Sequence, residues 1–469
     1  MRDLVGVILS VGLPWVAGAL CVRALWRADS GDRGLLCIGY GYLVGAFATT
    51  LLLRLVSVAG QRWNLAWISG CLLVIACAGW FAAKPLPSPR AECQRFAAKL
   101  AGMPPATRRL FWLFFALGAI NAVAIAFCVL WGLLLPFDAM AHWADKSRVW
   151  YEYGRIMPFV EASDWRRFGD PLRFWDPNPR YPATVPLLQV WTALAVGHWD
   201  ESLINLPWVA AFVALGFAFY AQVRRLGAAP TKAMACTYLL LSLPFLQIHV
   251  AIAGMADIFV AIAYGLAAIS LWQWTMNRQW QDAALAFVMV IFCATVKNEG
   301  AVWALTLLPA IIVTLHRRIG IAAVASIGVA AILYLAFGPN EVKIMGYTVS
   351  TRLANLMFPV HEHLFVMDNW HLLWYAAIAL IVVNARLLFG KTLAPMTVTM
   401  LAATGLVVVV FFFSNVARGV AEENLLNRFL LQAVPALAYY LVLILRERER
   451  WAPASKMTSR AAPADAAGD

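Results

Sequence analysis

Charged residues are scarce in this sequence, and acidic residues are scarcer than basic ones. Only 13% of the 469 residues are charged, whereas 62% are hydrophobic and the mean hydropathy is +0.72. A soluble core cannot enclose this much apolar surface, so the composition predicts a polytopic membrane protein. Apolar runs of about twenty residues are long enough for an α-helix to cross about 30 Å of hydrocarbon, which favours an all-α protein over a barrel.

The sequence also lacks the cysteine patterns of disulfide-bonded or zinc-binding proteins. Its eight cysteines lie in apolar runs, at their ends or in a basic loop, and no pair has metal-ligand spacing. There are 37 basic and 25 acidic residues, which gives a net charge of +12. The basic residues gather in short clusters between apolar runs. We therefore expect them to orient the chain and to meet anionic membrane lipids rather than nucleic acid.

The apolar runs predict about thirteen transmembrane helices. The predicted spans are residues 4–22, 34–58, 64–83, 110–135, 203–223, 232–251, 256–274, 283–297, 300–315, 320–338, 370–388, 393–414 and 428–445. In this arrangement the main basic clusters fall on one side, which the positive-inside rule makes cytoplasmic. The N-terminus is then outside and the C-terminus inside.

Residues 183–197 decide the side of the longest polar loop, 136–202. This segment has about fifteen residues and begins near Pro182, Pro186 and Gln189, so it is short for a span. We predict that it lies in the membrane interface, which puts the loop outside. If it crosses the membrane instead, the loop moves to the cytoplasm, and the seven basic residues of the loop favour that alternative.

The loop opens with DAMAHWADK, an ionisable cluster beside a long apolar run. A helix over 138–153 would align Asp138, His142 and Asp145 on one face, with Lys146 one helical step beyond His142. In such a site a carboxylate can act as general base while a cation holds a phosphate oxygen. Trp143 offers a flat surface for a sugar. The alternative is an interfacial helix with ion pairs and an aromatic belt.

Ionisable residues are also predicted at two further places, both at the outer ends of spans. Asp257 heads one span, and Lys297 and Glu299 stand between two others, on the same face as the polar loop. Charged groups at such positions are candidates for a functional site, although each alone is compatible with a helix cap or a structural ion pair. His249 is typical of a packed core histidine, and its nearness to Asp257 keeps it among the candidates.

A second outer loop, 339–369, contains Arg352 and the triplet His361-Glu362-His363. The two histidines point the same way only in an extended segment, and no third ligand can be named, so we do not predict a metal site. Binding or gating of a lipid headgroup is an interpretation of this loop at least as well supported as a metal site.

The order of these features resembles the GT-C glycosyltransferases, in particular the protein O-mannosyltransferase and aminoarabinose transferase branches. The likeness rests on a span ending at Asp138, the loop closing with RYPATVPLLQVW, the Asp-headed GMADIF, the KNEG stretch and the late NRFLLQAVPAL. It covers roughly residues 110–445. The resemblance implies that Asp138 is the catalytic carboxylate. Ala139 stands where many members carry a second acidic residue. That second acid is then either displaced to Asp145 or absent.

The resemblance also assigns roles to the other candidates. Asp257 would be a second site carboxylate. Lys146, Lys297 and Arg428 would meet the donor phosphate. The positions of the other ionisable and aromatic residues, rather than the resemblance, add His142 and Arg352 to the phosphate candidates and make Trp143, Glu299, His249, His361 and His363 candidates for substrate binding. No cofactor is assigned, and a divalent cation stays open. The chain would consist of three spans with a basic loop (1–109), the catalytic module (110–445) and a disordered cytoplasmic tail (446–469).

The expected activity is inverting transfer of a sugar from a polyprenyl-phosphate donor to a cell-envelope glycan, lipid or protein acceptor. The expected location is the extracytoplasmic side of a bacterial inner membrane. Two alternatives remain, a secondary transporter or flippase of lipid-linked or anionic substrates and a polymerase or ligase of lipid-linked glycans. The absence of a visible inverted repeat speaks against the transporter.

Overall fold

The structure is a computed structural model that describes residues 2–26, 33–83, 89–132, 134, 136–169, 172–337, 341–344, 347–350, 354–417, 419–420 and 425–451. These residues form an all-α bundle with two small two-stranded sheets. The first five helices are α1 (Arg2–Leu25), α2 (Arg33–Val58), α3 (Leu65–Ala82), α4 (Pro89–Ala101) and α5 (Pro105–Trp131). The long polar loop then contains a π-helix (Ala139–Ala144), α6 (Asp145–Tyr153), β1 (Phe159–Val160), α7 (Ala162–Phe168), β2 (Phe174–Trp175) and α8 (Thr184–Val196).

The central bundle follows α8 in the chain. Its helices are α9 (Leu206–Arg225), α10 (Pro230–Leu241), α11 (Pro244–Ala251), α12 (Asp257–Asn277), α13 (Trp280–Val296), α14 (Asn298–Leu305), α15 (Leu308–Leu315) and α16 (Arg317–Phe337). The remaining elements are β3 (Glu341–Ile344), β4 (Tyr347–Ser350), α17 (Met357–His361), a π-helix (Glu362–Val366), α18 (Leu373–Val383), α19 (Ala385–Leu388), α20 (Ala394–Phe412), α21 (Leu425–Leu431) and α22 (Val434–Trp451). Strands β1 and β2 pair in parallel, and β3 and β4 pair antiparallel.

The chain is a polytopic membrane protein by the length and composition of its helices. Among the described residues, eight helical segments are long and apolar enough to cross a membrane, namely α1, α2, α3, α5, α9, α12, α14 with α15, and α20. Two bent pairs raise the number to ten, α10 with α11 at 63° and α21 with α22 at 54°. Thirteen spans were predicted. Ten of the thirteen predicted spans correspond to these segments. The other three overlap α13, α16 and α18, of which α13 and α18 are shorter than a span.

Proline explains the bend in the first of these pairs. Pro244 is the first residue of α11, where its missing N–H costs nothing, and its ring prevents α10 from continuing through it. The carbonyl of Asn369 accepts a hydrogen bond from Phe245 N at 3.0 Å, and that of Ser242 contacts His371 Nε2 at 3.1 Å. The loop before α18 therefore satisfies backbone groups at the break. The predicted single span 232–251 is a broken helix.

Small residues allow the first two helices to pack closely. A Cβ added to Gly45 would lie 1.7 Å from the carbonyl oxygen of Pro14, and one added to Gly18 would lie 2.0 Å from that of Gly41. Such contacts are typical of membrane helices, whose association relies on close van der Waals packing. Helix α2 in turn packs on α9, so the N-terminal helices belong to the same bundle as the central ones.

Helix α8, predicted to lie in the membrane interface, is enclosed by protein. Twelve of its thirteen residues are buried, including the polar Thr184, Gln189 and Thr192. Neighbouring elements satisfy them, because Arg54 donates to Thr184 Oγ1 at 2.8 Å and Ser147 donates to Gln189 Oε1 at 2.6 Å. A helix at the interface would show an exposed face. This one packs against α1, α2 and α6 instead.

An ion pair fixes the end of the bundle opposite the start of α12. Arg225, at the end of α9, donates two hydrogen bonds to Asp282 in the first turn of α13, at 2.7 and 2.8 Å. Asn277 adds a third at 2.8 Å. Asp282 is fully buried, and the bidentate geometry with Arg225 compensates the loss of its hydration.

The predicted disordered tail begins as helix. Residues 446–451 continue α22 as a charged final stretch that ends in Arg448, Arg450 and Trp451. Residues 452–469 lie outside the described part of the chain.

Candidate functional site

Asp138 stands at the start of the π-helix that follows α5. Its backbone is helical, and its side chain is about one-third exposed. The carboxylate accepts a hydrogen bond from Arg428 Nη2 at 2.6 Å, which joins positions 290 residues apart in sequence. Wide helical turns of this kind often occur at functional sites. Asp138 is thus a carboxylate that a substrate can reach and that is held by a cation far away in sequence.

Arg428 also contacts a second carboxylate, Asp257. Its Nε and Nη2 donate to Asp257 Oδ2 at 3.0 and 2.9 Å. Lys297 Nζ and Gln432 Nε2 donate to the other oxygen, Oδ1, at 3.1 and 2.7 Å. Asp257 is fully buried, so these donors replace its lost hydration. We call Asp138, Asp257, Lys297, Glu299 and Arg428 the charge cluster.

Close backbone packing brings the two aspartates together. Gly254, just before α12, has φ of +74°, and a Cβ there would lie 2.5 Å from Cβ of Ala139. Only glycine fits both the left-handed backbone and this approach. Trp208 Nε1 donates to the carbonyl of Met255 at 2.8 Å and fixes the same turn. Asp257 in the first turn of α12 also interacts favourably with the positive end of that helix.

Lys297 owes its position to a one-residue break between two helices. It has an extended backbone (φ −153°, ψ 150°) between α13 and α14. A Cβ on Gly300 would lie 2.1 Å from the carbonyl oxygen of Cys293, so this glycine lets α14 pack closely on α13. The break directs Lys297 toward Asp257, and Glu299 Oε1 lies 3.4 Å from Lys297 Nζ. The KNEG stretch therefore supplies two members of the charge cluster.

A second ionic group lies beside the charge cluster, in the polar loop. Asp176 is fully buried and contacts His142 Nδ1 at 2.9 Å and Lys146 Nζ at shorter range. Asn178 bonds His142 Nε2 through its side-chain amide at 3.1 Å, and its carbonyl accepts from Lys146 at 3.0 Å. We call these four residues the loop cluster. It fastens the π-helix and α6 to the segment that leads into α8.

The loop cluster changes the pKa values of nearby groups. Burial lowers the pKa of Lys146, and the adjacent Asp176 carboxylate opposes that shift by stabilising the ammonium. Desolvation by the surrounding protein raises the pKa of Asp145, and the negative charge of Asp176 adds to the increase. Asp145 is otherwise on the exposed side of α6. The predicted common face of Asp138, His142 and Asp145 is not formed, because the wide π-turn changes the register.

Other predicted residues surround the charge cluster. Trp143 is buried and stacks on Tyr181, with ring centroids 5.1 Å apart. His249 is buried within electrostatic range of Asp257, Arg428 and Lys297, and its Nδ1 bonds the carbonyl of Phe245 at 3.0 Å. The structure therefore brings Asp138, Asp257, Lys297, Glu299, Arg428 and His249 into one neighbourhood and puts His142 and Lys146 beside it.

The second loop contributes differently. His363 is buried between the carbonyl of Val420 and the side-chain amide of Asn427, at 3.0 and 2.9 Å, and acts as a packing residue there. His361 is exposed and contacts Phe365. Among the described residues no group of three His, Cys, Asp or Glu side chains is arranged for a metal ion. Arg352 lies outside the described residues.

Four residues of this region were not predicted, namely Asp176, Asn178, Tyr181 and Gln432. Asp176 and Asn178 stand in a polar stretch of many charged residues, where nothing in sequence separates a buried acid from exposed ones. Gln432 could have been predicted from the sequence, because it is one helical turn after Arg428 and so lies on the same helix face.

Comparison of the chain with models of protein families, with curated proteins and with solved structures gives no match. The functional argument therefore rests on the geometry of the charge cluster and its surroundings.

Proposed function

We propose that this protein is a membrane glycosyltransferase that moves a sugar from a polyprenyl-phosphate donor to an acceptor on the extracytoplasmic face. The observation that supports this most strongly is the Asp138–Arg428–Asp257–Lys297 arrangement. It combines one reachable carboxylate with two cations at the ends of apolar helices. A substrate that is part lipid and part charged would meet suitable groups at such a site.

In the proposed reaction an acceptor hydroxyl oxygen attacks the anomeric carbon of the donor sugar. The bond from that carbon to the phosphate oxygen breaks, and polyprenyl phosphate leaves with the electron pair. Asp138 accepts the hydroxyl proton, and the cations stabilise the negative charge on the leaving phosphate. Among the described residues Arg428 Nη1 has no hydrogen-bond partner, so one arm of the guanidinium is available to a phosphate oxygen.

An apolar groove beside the site suits the lipid part of the donor. It has a volume of about 340 Å³ and lies between α10, α18 and α22. Trp370 lines one end and donates from Nε1 to Asn427, the residue before Arg428, at 3.1 Å. One end of the groove therefore lies next to α21, the helix that carries Arg428. We propose that part of the polyprenyl chain lies in it.

The test is release of free polyprenyl phosphate by purified protein in nanodiscs, with a panel of polyprenyl-phosphate sugars and acceptor-containing membrane extract. Wild type is expected to consume one donor, and Asp138→Asn is expected to lose at least about a hundredfold in rate, the usual contribution of a general base. Asp164→Asn is the matched control, because Asp164 is an exposed acid of the same loop. Equal rates for Asp138→Asn and wild type would show that Asp138 is not a catalytic residue.

One observation favours a second candidate, a secondary transporter. The break between α21 and α22 lies at Gln432, which donates to the buried Asp257, and transporters use discontinuous helices in this way. In that case Asp257 and Lys297 would couple ion movement to substrate movement. The candidate predicts substrate uptake into proteoliposomes with no donor consumed, whereas the transferase predicts polyprenyl phosphate as a product.

A further inference from the structure

We propose that the inner side of the charge cluster is a subsite for sugar hydroxyl groups, formed by His249, Glu299 and Gln432, and that it does not hold the phosphate. This inference rests on the proposed function for the identity of the substrate. It deepens that function by dividing the site into a part that binds hydroxyl groups and a part that binds the anion.

Three buried acceptor atoms in this neighbourhood have no donor among the described residues. They are His249 Nε2, Glu299 Oε2 and Gln432 Oε1. His249 and Gln432 are 4% and 1% exposed, so bulk water does not reach them freely. Buried acceptors in folded proteins are nearly always hydrogen-bonded, because an unpaired one costs its lost hydration, so three without a partner in one neighbourhood are an unusual concentration.

All three atoms belong to side chains that are already held in place. Gln432 uses its amide nitrogen to donate to Asp257, so the oxygen of the same group is the end left over. His249 contacts the Phe245 carbonyl through Nδ1, which requires a hydrogen there and leaves Nε2 as an acceptor. Glu299 contacts Lys297 through Oε1, which leaves Oε2. The unused acceptors therefore have defined positions.

The chemistry of the acceptors selects the ligand. The phosphodiester of the donor carries no proton at neutral pH and only accepts hydrogen bonds, so it would oppose all three atoms and the charge of Glu299. A metal ion would be repelled by Lys297 and Arg428. A hydroxyl group is neutral and donates one hydrogen bond, so several hydroxyls on one ring would satisfy these acceptors without adding charge. A sugar ring has this pattern.

The experiment uses the protein in nanodiscs and a panel of methyl glycosides of common hexoses, pentoses and N-acetylhexosamines, with inorganic phosphate as a parallel probe. Saturation-transfer NMR detects binding at millimolar concentration. We expect at least one methyl glycoside to bind. Glu299→Gln converts the unused acceptor into a donor and keeps the oxygen that faces Lys297. It is expected to weaken glycoside binding about tenfold or more and not to weaken phosphate binding, because it removes a negative charge.

His249 provides a second variant and a rescue. We expect His249→Phe to weaken glycoside binding by a similar factor and His249→Gln, which restores an acceptor, to recover most of it. His198→Phe is the matched control, because His198 is half exposed on the loop before α9. The proposal is overturned if no glycoside binds, or if Glu299→Gln and His249→Phe both bind like wild type. Glycoside binding without release of polyprenyl phosphate would contradict the proposed transfer reaction but would still support the hydroxyl subsite.

Discussion

Replacing Asp257 by Asn should be among the most destabilising conservative changes in this protein. Lys297, Arg428 and Gln432 together donate four hydrogen bonds to the buried carboxylate. Asparagine keeps one acceptor oxygen, and its amide hydrogens would face existing donors. Two buried cations also lose a counter-charge, so we expect a loss of about 3–5 kcal/mol in the free energy of unfolding.

A double-mutant cycle separates the ion pair from general damage. Lys297→Met alone leaves Asp257 with Arg428 and Gln432, and we expect it to cost about 2–3 kcal/mol, toward the lower end for a broken buried pair. The double variant Asp257→Asn/Lys297→Met removes opposite charges together. It should therefore be less destabilised than the sum of the single variants, with a coupling energy of about 2 kcal/mol, within the range for contacting residues.

The assay is equilibrium unfolding in mixed micelles of increasing SDS content, followed by tryptophan fluorescence. Asp164→Asn, at an exposed position, should stay within about 0.5 kcal/mol of wild type. The reasoning is refuted if Asp257→Asn costs less than about 1 kcal/mol, or if the two single effects simply add. Either result would mean that Asp257 is hydrated rather than held by the two cations.

Three further changes test the surroundings of the site. Ala376→Trp narrows the apolar groove and should raise KM for the lipid-linked donor about tenfold, with kcat little changed. Leu401→Trp, on an exposed helix face, is the control and should leave KM unchanged. Equal effects of the two variants in steady-state kinetics would show that the groove does not bind the donor. Lys146→Met leaves the buried Asp176 with one ionic partner fewer and should lower the free energy of unfolding by about 3 kcal/mol in the same assay. An unchanged free energy of unfolding would contradict the burial of that pair. Asp145→Asn should stabilise by no more than about 0.5 kcal/mol at pH 7.

The pH dependence of the Asp145→Asn effect follows from the raised pKa of that carboxyl. Because the folded protein binds this proton more tightly than the unfolded chain, a charged Asp145 costs stability above its pKa. The cost decreases as pH falls and is absent below the ordinary value of 3.8, where both states are protonated. Thermal unfolding at pH 7 and near pH 4 should show the advantage of Asn shrinking. A destabilised Asn variant at pH 7 would contradict the argument.

The sequence was sufficient to find the helices and most of the charge cluster. Hydrocarbon selects for residue type along a whole span, so composition alone locates apolar helices, and all thirteen predicted segments are helical. Asp138, Asp257 and Lys297 were predicted on one face because they stand at span ends of the same side, and the structure brings them within one set of contacts through Arg428.

What the sequence could not predict depends on packing between distant segments. The π-turn after Asp138 turns Asp145 outward, although ideal helical spacing aligned the two. Asp176 pairs with Lys146 from thirty residues further along, across several short helices and strands, and no periodicity relates the two positions. The burial of α8 results from its neighbours, since its own composition fits both a span and an interfacial helix.

The contact of Arg428 with Asp257 also has a consequence for the order in which the protein is made. The two residues are 171 positions apart, so at 5–20 residues per second Arg428 leaves the ribosome roughly 10–30 s after Asp257. Lys297 follows Asp257 by only 40 positions and can neutralise it early. A chain that stops before α21 would therefore contain a paired Asp257 but lack the guanidinium that holds Asp138. The complete charge cluster, and with it the proposed transfer reaction, therefore requires a chain made at least through α21.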